Sequence, residues 1–238
     1  LSILSGPGEG VAVQPPLYPP LMQTVRDNGR LLLENHLVLQ DGRYRMNLEE
    51  LEELFRRRRP KIMLFCSPHN PVGRVWSREE VAAMAELTGR YGVALVSDEI
   101  HADIVFAPHR HTPALSPADG QADRIIVLNS ASKSFNVAGL NTAYALIPDD
   151  SLRGAFRRQL RRMNLHGVNI FGMTALEAAY SRGEEWLEAL LHYLQGNREY
   201  LRDRLTNELP YLRCCPPEGT YLYWFDFNSL GLSPAEIR

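Results

Sequence analysis

Three short segments of this 238-residue sequence carry side chains that could do chemistry together, and an apolar run precedes each of them. Residues 67–73 read Ser-Pro-His-Asn-Pro-Val-Gly, residues 97–101 read Ser-Asp-Glu-Ile-His, and residues 129–136 read Asn-Ser-Ala-Ser-Lys-Ser-Phe-Asn. Together the segments offer an amide, a carboxylate, an imidazole, several hydroxyls and one amine. Few structural roles need that combination, so it predicts a site that binds and transforms a small organic molecule.

The amine of Lys133 is the reactive group at the centre of this set. Small hydroxyl residues and Phe135 flank it, an unusual setting for a solvated surface charge. A lysine at a buried strand end favours the neutral amine, which can form a Schiff base with a carbonyl compound. Alone, Lys133 would be interpreted as an exposed loop residue. With Asp98 and Asn70 expected at neighbouring strand ends, we interpret it as catalytic.

The elements that must position these groups alternate between apolar runs and helical stretches. The apolar runs predict strands or extended chain at residues 11–14, 31–39, 61–66, 93–96, 125–128 and 143–147. Helices are predicted at 19–28, 47–58 and 77–91. A capping box of Ser77 and Glu80 opens the third helix, and Gly92 ends it. This alternation predicts an α/β fold with a mainly parallel sheet, whose carboxyl strand ends bring the three polar segments to one edge.

The pattern changes after about residue 150. Three helical stretches, at 150–164, 171–181 and 184–208, precede an apolar run at 221–227 that predicts a strand. We expect a large domain over 1–149, a linker helix and a return to the large domain over 150–183, and the start of a smaller α+β domain over 184–238. Because Leu1 is not an initiator methionine, we expect a fragment that lacks the N-terminal part of the large domain and the end of the small one.

The composition argues against several classes of function. The sequence has 26 basic and 28 acidic residues, a net charge of −2, which gives no electrostatic reason to expect a nucleic-acid or membrane partner. Cys66, Cys214 and Cys215 form no spaced pair and lie near no histidine at a ligand spacing, so we expect neither a disulfide nor a metal site. Without a signal peptide or a membrane-spanning run, we expect a cytoplasmic protein.

The three segments, in this order, resemble the motifs of a known enzyme superfamily. S-P-H-N-P-V-G-R-V-W at 67–76, S-D-E-I-H at 97–101 and S-x-S-K-S-F-N at 130–136 are similar to those of the fold-type I aminotransferases. Within that superfamily the sequence resembles cystathionine β-lyases of the MalY/PatB type, from residue 3 to residue 230. The resemblance implies a three-layer αβα large domain, pyridoxal phosphate (PLP) as cofactor, an amino acid as substrate, and a homodimer with a shared active site.

The resemblance also implies a role for the main polar residues of the predicted site. Lys133 would bind the aldehyde carbon of PLP as a Schiff base and later move the α-proton of the substrate, which makes it the catalytic residue. Asp98 would pair with the pyridine nitrogen and keep it protonated, so that the ring accepts electrons. Asn70 would hydrogen-bond the phenolic oxygen of the ring, with His101 close by.

Three further residues complete the implied cofactor site. Tyr18 matches the aromatic residue that stacks on the ring, while Ser130 and Ser132 would bind the phosphate. One position departs from the aminotransferase pattern, in which an arginine that binds the phosphate usually follows the lysine in the segment where this sequence has Asn141. This departure favours a lyase over an aminotransferase.

Three functions stay open on the sequence alone. The first is β-elimination of cystathionine or a related cysteine S-conjugate to a thiol, pyruvate and ammonia. The second is transamination with the same cofactor and the same lysine. The third is a non-catalytic or partner-dependent PLP-fold module of a larger protein, against which the intact set of Lys133, Asp98 and Asn70 argues. The substrate-carboxylate arginine, the phosphate-binding glycine turn and a tyrosine of the neighbouring subunit are expected outside this chain.

Overall fold

A computed structural model describes residues 1–118, 120–165, 167–233 and 235–236. Its strands are β1 (Gly10–Val13), β2 (Leu31–Glu34), β3 (Val38–Gln40), β4 (Arg43–Arg45), β5 (Ile62–Cys66), β6 (Ala94–Asp98), β7 (Ile125–Asn129), β8 (Tyr144–Leu146), β9 (Arg213–Cys214) and β10 (Phe225–Asp226). Its helices are α1 (Pro19–Asp27), α2 (Leu48–Arg58), α3 (Arg78–Arg90), α4 (Asp150–Arg162), α5 (Ile170–Arg182) and α6 (Glu184–Glu208).

A six-stranded sheet in the order β2-β1-β5-β6-β7-β8 organises the fold. All neighbours in it are parallel except β7 and β8, which pair antiparallel with Asn129 opposite Tyr144. The predicted mainly parallel sheet is therefore confirmed. Two small antiparallel pairs, β3 with β4 and β9 with β10, lie outside it.

Helices cover both faces of this sheet, because successive side chains of a strand point to opposite faces. On one face, Met63 of β5 belongs to a buried cluster with Phe55 of α2 and Met84 of α3. On the other face, its neighbour Ile62 packs with Val25 of α1. The three-layer αβα arrangement is confirmed.

The local signals for helix ends act as predicted. The Ser77 hydroxyl accepts from the Glu80 N–H at 3.2 Å, and the Glu80 carboxylate accepts from the Ser77 N–H at 2.8 Å. Gly92, with φ of 66°, adopts the left-handed conformation that follows the end of α3. These local interactions start α3 at Arg78, a few residues after the polar segment 67–73.

The predicted strand at 221–227 is mostly wrong, since only Phe225 and Asp226 pair with a neighbour. Just before it, the Thr220 N–H donates to the Ile104 carbonyl at 2.7 Å, and the Thr220 hydroxyl accepts from the Leu222 N–H at 3.1 Å. These bonds direct the backbone toward the loop after β6 instead of into a ladder. The extended run at 31–39 is likewise divided into β2 and β3, because the Leu37 N–H donates to the Pro15 carbonyl at 2.7 Å. The division of the chain into three parts stays a prediction.

Candidate active site

The three polar segments meet at one edge of the sheet. At the carboxyl ends of the strands, Cys66 lies opposite Asp98, and Asp98 lies opposite Leu128. The ladder continues past the strands, since the Ser67 N–H donates to the Asp98 carbonyl at 3.0 Å and the Glu99 N–H to the Leu128 carbonyl at 2.9 Å. Parallel strands place their carboxyl ends together, and this edge is where ligands bind in such sheets.

Lys133 and Asp98 lie close enough at this edge to interact electrostatically. Burial has the largest effect on the pKa of Asp98 and raises it, and the nearby Glu99 charge acts in the same direction. The Ile100 N–H, which donates to the Asp98 Oδ1 at 3.2 Å, and the Lys133 charge both lower this pKa. The net effect is a raised pKa for Asp98. A buried carboxylate in that state is stabilised by a cationic partner, so the arrangement suits the protonated nitrogen of a heterocyclic ligand.

His101 is a buried imidazole that the fold leaves without hydrogen bonds. It is 1% exposed, and neither ring nitrogen has a hydrogen-bond partner among the described residues. Burial, followed by the charge of Lys133, lowers the pKa of His101 to about 4, so the ring is neutral at neutral pH. Its ring meets the edge of Tyr221 with centroids 5.4 Å apart. Unpartnered buried polar atoms are costly, so His101 suits a ligand that offers it a hydrogen bond.

Asn70 is tied to this edge through its backbone. Its N–H contacts the Cys66 sulfur at 3.4 Å, and its carbonyl accepts from the Tyr18 N–H at 3.0 Å. The structure therefore brings Tyr18 to Asn70, and Asn70 to the strand end opposite Asp98. The Tyr18 side chain, 44% exposed at the start of α1, remains accessible to a ligand.

The two predicted phosphate-binding serines differ in their surroundings. The Ser130 hydroxyl donates to the Thr142 carbonyl at 2.6 Å and accepts from the Ser132 N–H at 3.1 Å, so its proton is already used within the loop. Ser132 is half-buried and lines the same cavity as Lys133. Ser132 is therefore better placed than Ser130 to donate a hydrogen bond to a ligand in this cavity. A phosphate-binding role for either serine stays a prediction.

A cavity of about 490 Å³ opens beside Lys133. Two of its walls come from parts of the chain that the motifs did not indicate: Trp186 of α6 and Tyr221. The Trp186 ring N–H donates to the Ser134 carbonyl at 3.3 Å, which anchors α6 to the lysine loop. The sequence carried no local signal for either aromatic residue, because both reach the site only when the chain after residue 183 folds back.

The chain matches the family model described as aminotransferase class I and II over residues 1–235. It belongs to this family. It is 42% identical over 232 residues to cystathionine beta-lyase PatB of Bacillus subtilis (strain 168), an alignment that covers 98% of this chain and 60% of PatB. It is 37% identical over 232 residues to protein MalY of Escherichia coli (strain K12), covering 97% of this chain and 59% of MalY.

The fold also matches solved structures of this family. Cystalysin from Treponema denticola, whose crystal structure contains pyridoxal 5'-phosphate, superposes with a TM-score of 0.94 at 31% identity, covering 97% of this chain and 59% of cystalysin. The resemblance to the aminotransferase superfamily and to its MalY/PatB branch is thus confirmed. The chain spans about 60% of the length of PatB and of MalY.

Among the described residues, no group of three His, Cys, Asp or Glu side chains could hold a metal ion. The His111 ring pairs with the buried Glu99 carboxylate at 2.9 Å. Within the described part of the chain, no helix is both long enough and apolar enough to cross a membrane.

Proposed function

We propose that this chain is the cofactor-binding part of a PLP-dependent carbon–sulfur β-lyase. Its reaction is β-elimination from cystathionine or a related cysteine S-conjugate, which yields a thiol, pyruvate and ammonia. The observation that carries the proposal is the grouping of Lys133, Asp98 and His101 at one sheet edge, where the described residues offer the His101 ring no hydrogen bond. The 42% identity to PatB, which is named a cystathionine beta-lyase, supports the choice of reaction.

The residues at this edge fit PLP. Asp98, whose pKa burial raises, matches the protonated ring nitrogen. The ring N–H of His101, which has no hydrogen-bond partner among the described residues, and the amide of Asn70 would donate to the phenolic oxygen. The accessible ring of Tyr18 can cover a face of the cofactor, and Ser132 can donate to the phosphate.

Each residue then has a specific task in elimination. When bound, PLP supplies an electrophilic carbon and a cationic ring that accepts the electron pair of the substrate's α-carbon. Lys133 would hold the cofactor through its amine, and the same amine would remove the α-proton of the substrate as a general base. Asp98 would keep the proton on the ring nitrogen. His101 stays neutral beside Lys133, so it adds no competing positive charge.

We further propose a homodimer in the cytoplasm. The segment before and within α5 exposes several large apolar side chains: Leu165 (58%), Val168 (55%), Ile170 (71%), Phe171 (73%) and Met173 (55%). Adjacent exposed apolar side chains often mark a contact with another subunit. Sedimentation of the full-length holoenzyme tests this proposal, and a stable, active monomer would contradict it.

Transamination is the second candidate, because the matching family is named for it and the reaction uses the same lysine. The deciding experiment incubates the full-length enzyme with cystathionine and measures pyruvate, ammonia and free thiol. We expect the three products in equal amounts, with the cofactor remaining an aldehyde. Accumulation of pyridoxamine phosphate, reversed by an added keto acid, would show an aminotransferase. Failure to bind PLP at all would indicate a non-catalytic or partner-dependent module.

A further inference from the structure

A buried ion pair joins two distant parts of the chain next to the candidate active site. Arg74 and Glu218, separated by 144 residues, are 3% and 9% exposed, and the Arg74 Nη1 donates to the Glu218 Oε2. The Arg74 guanidinium also donates to both oxygens of Glu80 at 2.7 and 2.8 Å and to the Tyr44 carbonyl at 2.7 Å. We call the Arg74–Glu218 pair the clasp.

The Glu218 side of the clasp is equally well supplied with partners. Its carboxylate accepts from the Val75 N–H at 2.9 Å and pairs with the Arg43 guanidinium at 2.7 Å. Burial raises the pKa of Glu218, but the Val75 N–H, the Arg74 charge and the bonds from Arg43 and Arg74 outweigh burial and lower it. The clasp therefore stays ionised at neutral pH.

On one side, the clasp holds the turn that carries Asn70. The His69 N–H donates to the Arg74 carbonyl and the Gly73 N–H to the His69 carbonyl, both at 2.8 Å. Asn70 thus lies inside a closed turn whose last residue, Arg74, is half of the clasp. Any shift of Arg74 moves this turn relative to Asp98.

On the other side, the clasp holds the segment that leads to Tyr221. The Phe106 N–H donates to the Glu218 carbonyl at 2.9 Å, and the Thr220 N–H donates to the Ile104 carbonyl at 2.7 Å. This segment runs between the Asn70 turn and the loop after β6. It delivers Tyr221 to the His101 ring and to the cavity beside Lys133.

The two segments are in direct backbone contact at the clasp. The N–H groups of Glu218 and Gly219 donate to the Gly73 carbonyl at 2.8 and 3.0 Å. Gly73 has φ of 70°, and a Cβ there would meet the Pro217 Cβ at 2.5 Å. Only glycine permits this approach.

We propose that the Arg74–Glu218 clasp is a positioning element of the active site, which sets the Asn70 turn and the Tyr221–His101 contact relative to Lys133 and thereby the affinity for PLP. A buried ion pair adds less to stability than well-packed apolar residues can, whereas its directional bonds define one geometry. Because the clasp lies between two walls of the site, its directional bonds would define how these two walls are positioned relative to each other. This inference rests on the proposed function, because it requires that the protein binds PLP.

The test measures the dissociation constant of PLP by titrating the full-length apoprotein at a temperature where circular dichroism shows it folded. Glu218→Gln removes the charge but keeps the shape, and we expect PLP to bind about tenfold more weakly. Arg74→Lys keeps the charge but loses the forked donors, so it should give a smaller loss. The matched control is Glu53→Gln, which breaks the exposed pair with Arg56 on α2 and should leave the affinity unchanged.

A double variant separates positioning from general loosening. If the clasp acts through the Asn70 turn, Glu218→Gln should weaken PLP binding much less in an Asn70→Ala background than in the wild type. Fully additive losses, or a wild-type affinity in folded Glu218→Gln, would overturn the inference. If Glu218→Gln does not fold, the PLP affinity of Arg74→Lys is compared in the wild-type and Asn70→Ala backgrounds instead, and the same two outcomes would overturn the inference. A wild-type protein that binds no PLP would refute the proposed function and the clasp's role together, whereas the other outcomes refute only the clasp.

Discussion

Asp98 at the sheet edge and Glu218 in the clasp are both largely buried carboxylates, yet their surroundings act in opposite directions. Burial raises the pKa of each. For Glu218, a backbone N–H and two guanidiniums reverse the effect, whereas Asp98 keeps a raised pKa beside one N–H and the Lys133 charge. The protein itself thus supplies the charged and hydrogen-bonding partners of Glu218 in the clasp. At the sheet edge, the described residues supply fewer such partners to Asp98.

The difference indicates how to tell a structural cluster from a binding site. A structural polar cluster is satisfied by the chain itself, as in the clasp. A site that awaits a ligand keeps buried polar atoms without partners, as the two nitrogens of His101 do among the described residues. Substitutions at the edge should therefore change activity far more than stability.

The largest effect is expected for Lys133→Arg. A guanidinium stays protonated, so it can neither attach to the cofactor nor accept the α-proton. We expect turnover of cystathionine to fall at least about 10³-fold, within the range of lost general-base catalysis, while the melting temperature changes little. Borohydride reduction and peptide mapping should find the pyridoxyl group on Lys133 in the wild type. A label on another lysine would contradict the assignment.

Asp98→Asn should follow, because a neutral amide cannot hold the ring nitrogen protonated. We expect a loss of about 10²-fold to 10³-fold in turnover, as for other lost electrostatic contacts, with PLP still bound. Since burial raises the pKa of Asp98, its charge costs folding free energy at neutral pH. The variant should therefore be as stable as the wild type or slightly more stable in urea. Wild-type turnover would exclude Asp98 as the partner of the ring.

A smaller effect concerns the pH dependence of stability. The pKa of His101 falls from 6.5 to about 4 on folding, so below pH 6.5 the unfolded chain binds the proton more readily. The neutral His101 ring therefore makes its full contribution to the free energy of unfolding above pH 6.5. As the pH falls toward 4, the free energy of unfolding decreases by up to about 3 kcal/mol on account of His101. Urea unfolding of the apoprotein should show a shallower decline over this window in His101→Phe. Equal slopes would show that His101 does not enter the folded state neutral.

The smallest effect is expected for Asn141→Arg, which introduces the arginine typical of aminotransferases. Asn141 has φ of 48°, a left-handed conformation that costs arginine about 1 kcal/mol. One side chain does not decide whether the substrate loses its β-substituent, so we expect the same products as in the wild type and less than about a tenfold change in turnover. Conversion to pyridoxamine phosphate would show that this position controls the reaction.

The order of elements and the three polar segments could be predicted because each depends on neighbours in the chain. Ser77 and Glu80 cap α3 through local hydrogen bonds, and apolar runs mark β5, β6 and β7 before any contact between them is known. Parallel strands then place Asn70, Asp98 and Lys133 at one edge by a general rule. The implied roles of these residues remain to be tested.

By itself, the sequence determined the family, the layered α/β fold and the segments that carry the chemistry, since motif and periodicity are local properties. Only the tertiary structure decided that β8 runs antiparallel, that Tyr221 contacts the His101 ring, and that Arg74 pairs with Glu218. No pattern in the chain indicates a pairing across 144 residues, because many acidic side chains could partner one arginine. Burial and backbone geometry select one of them.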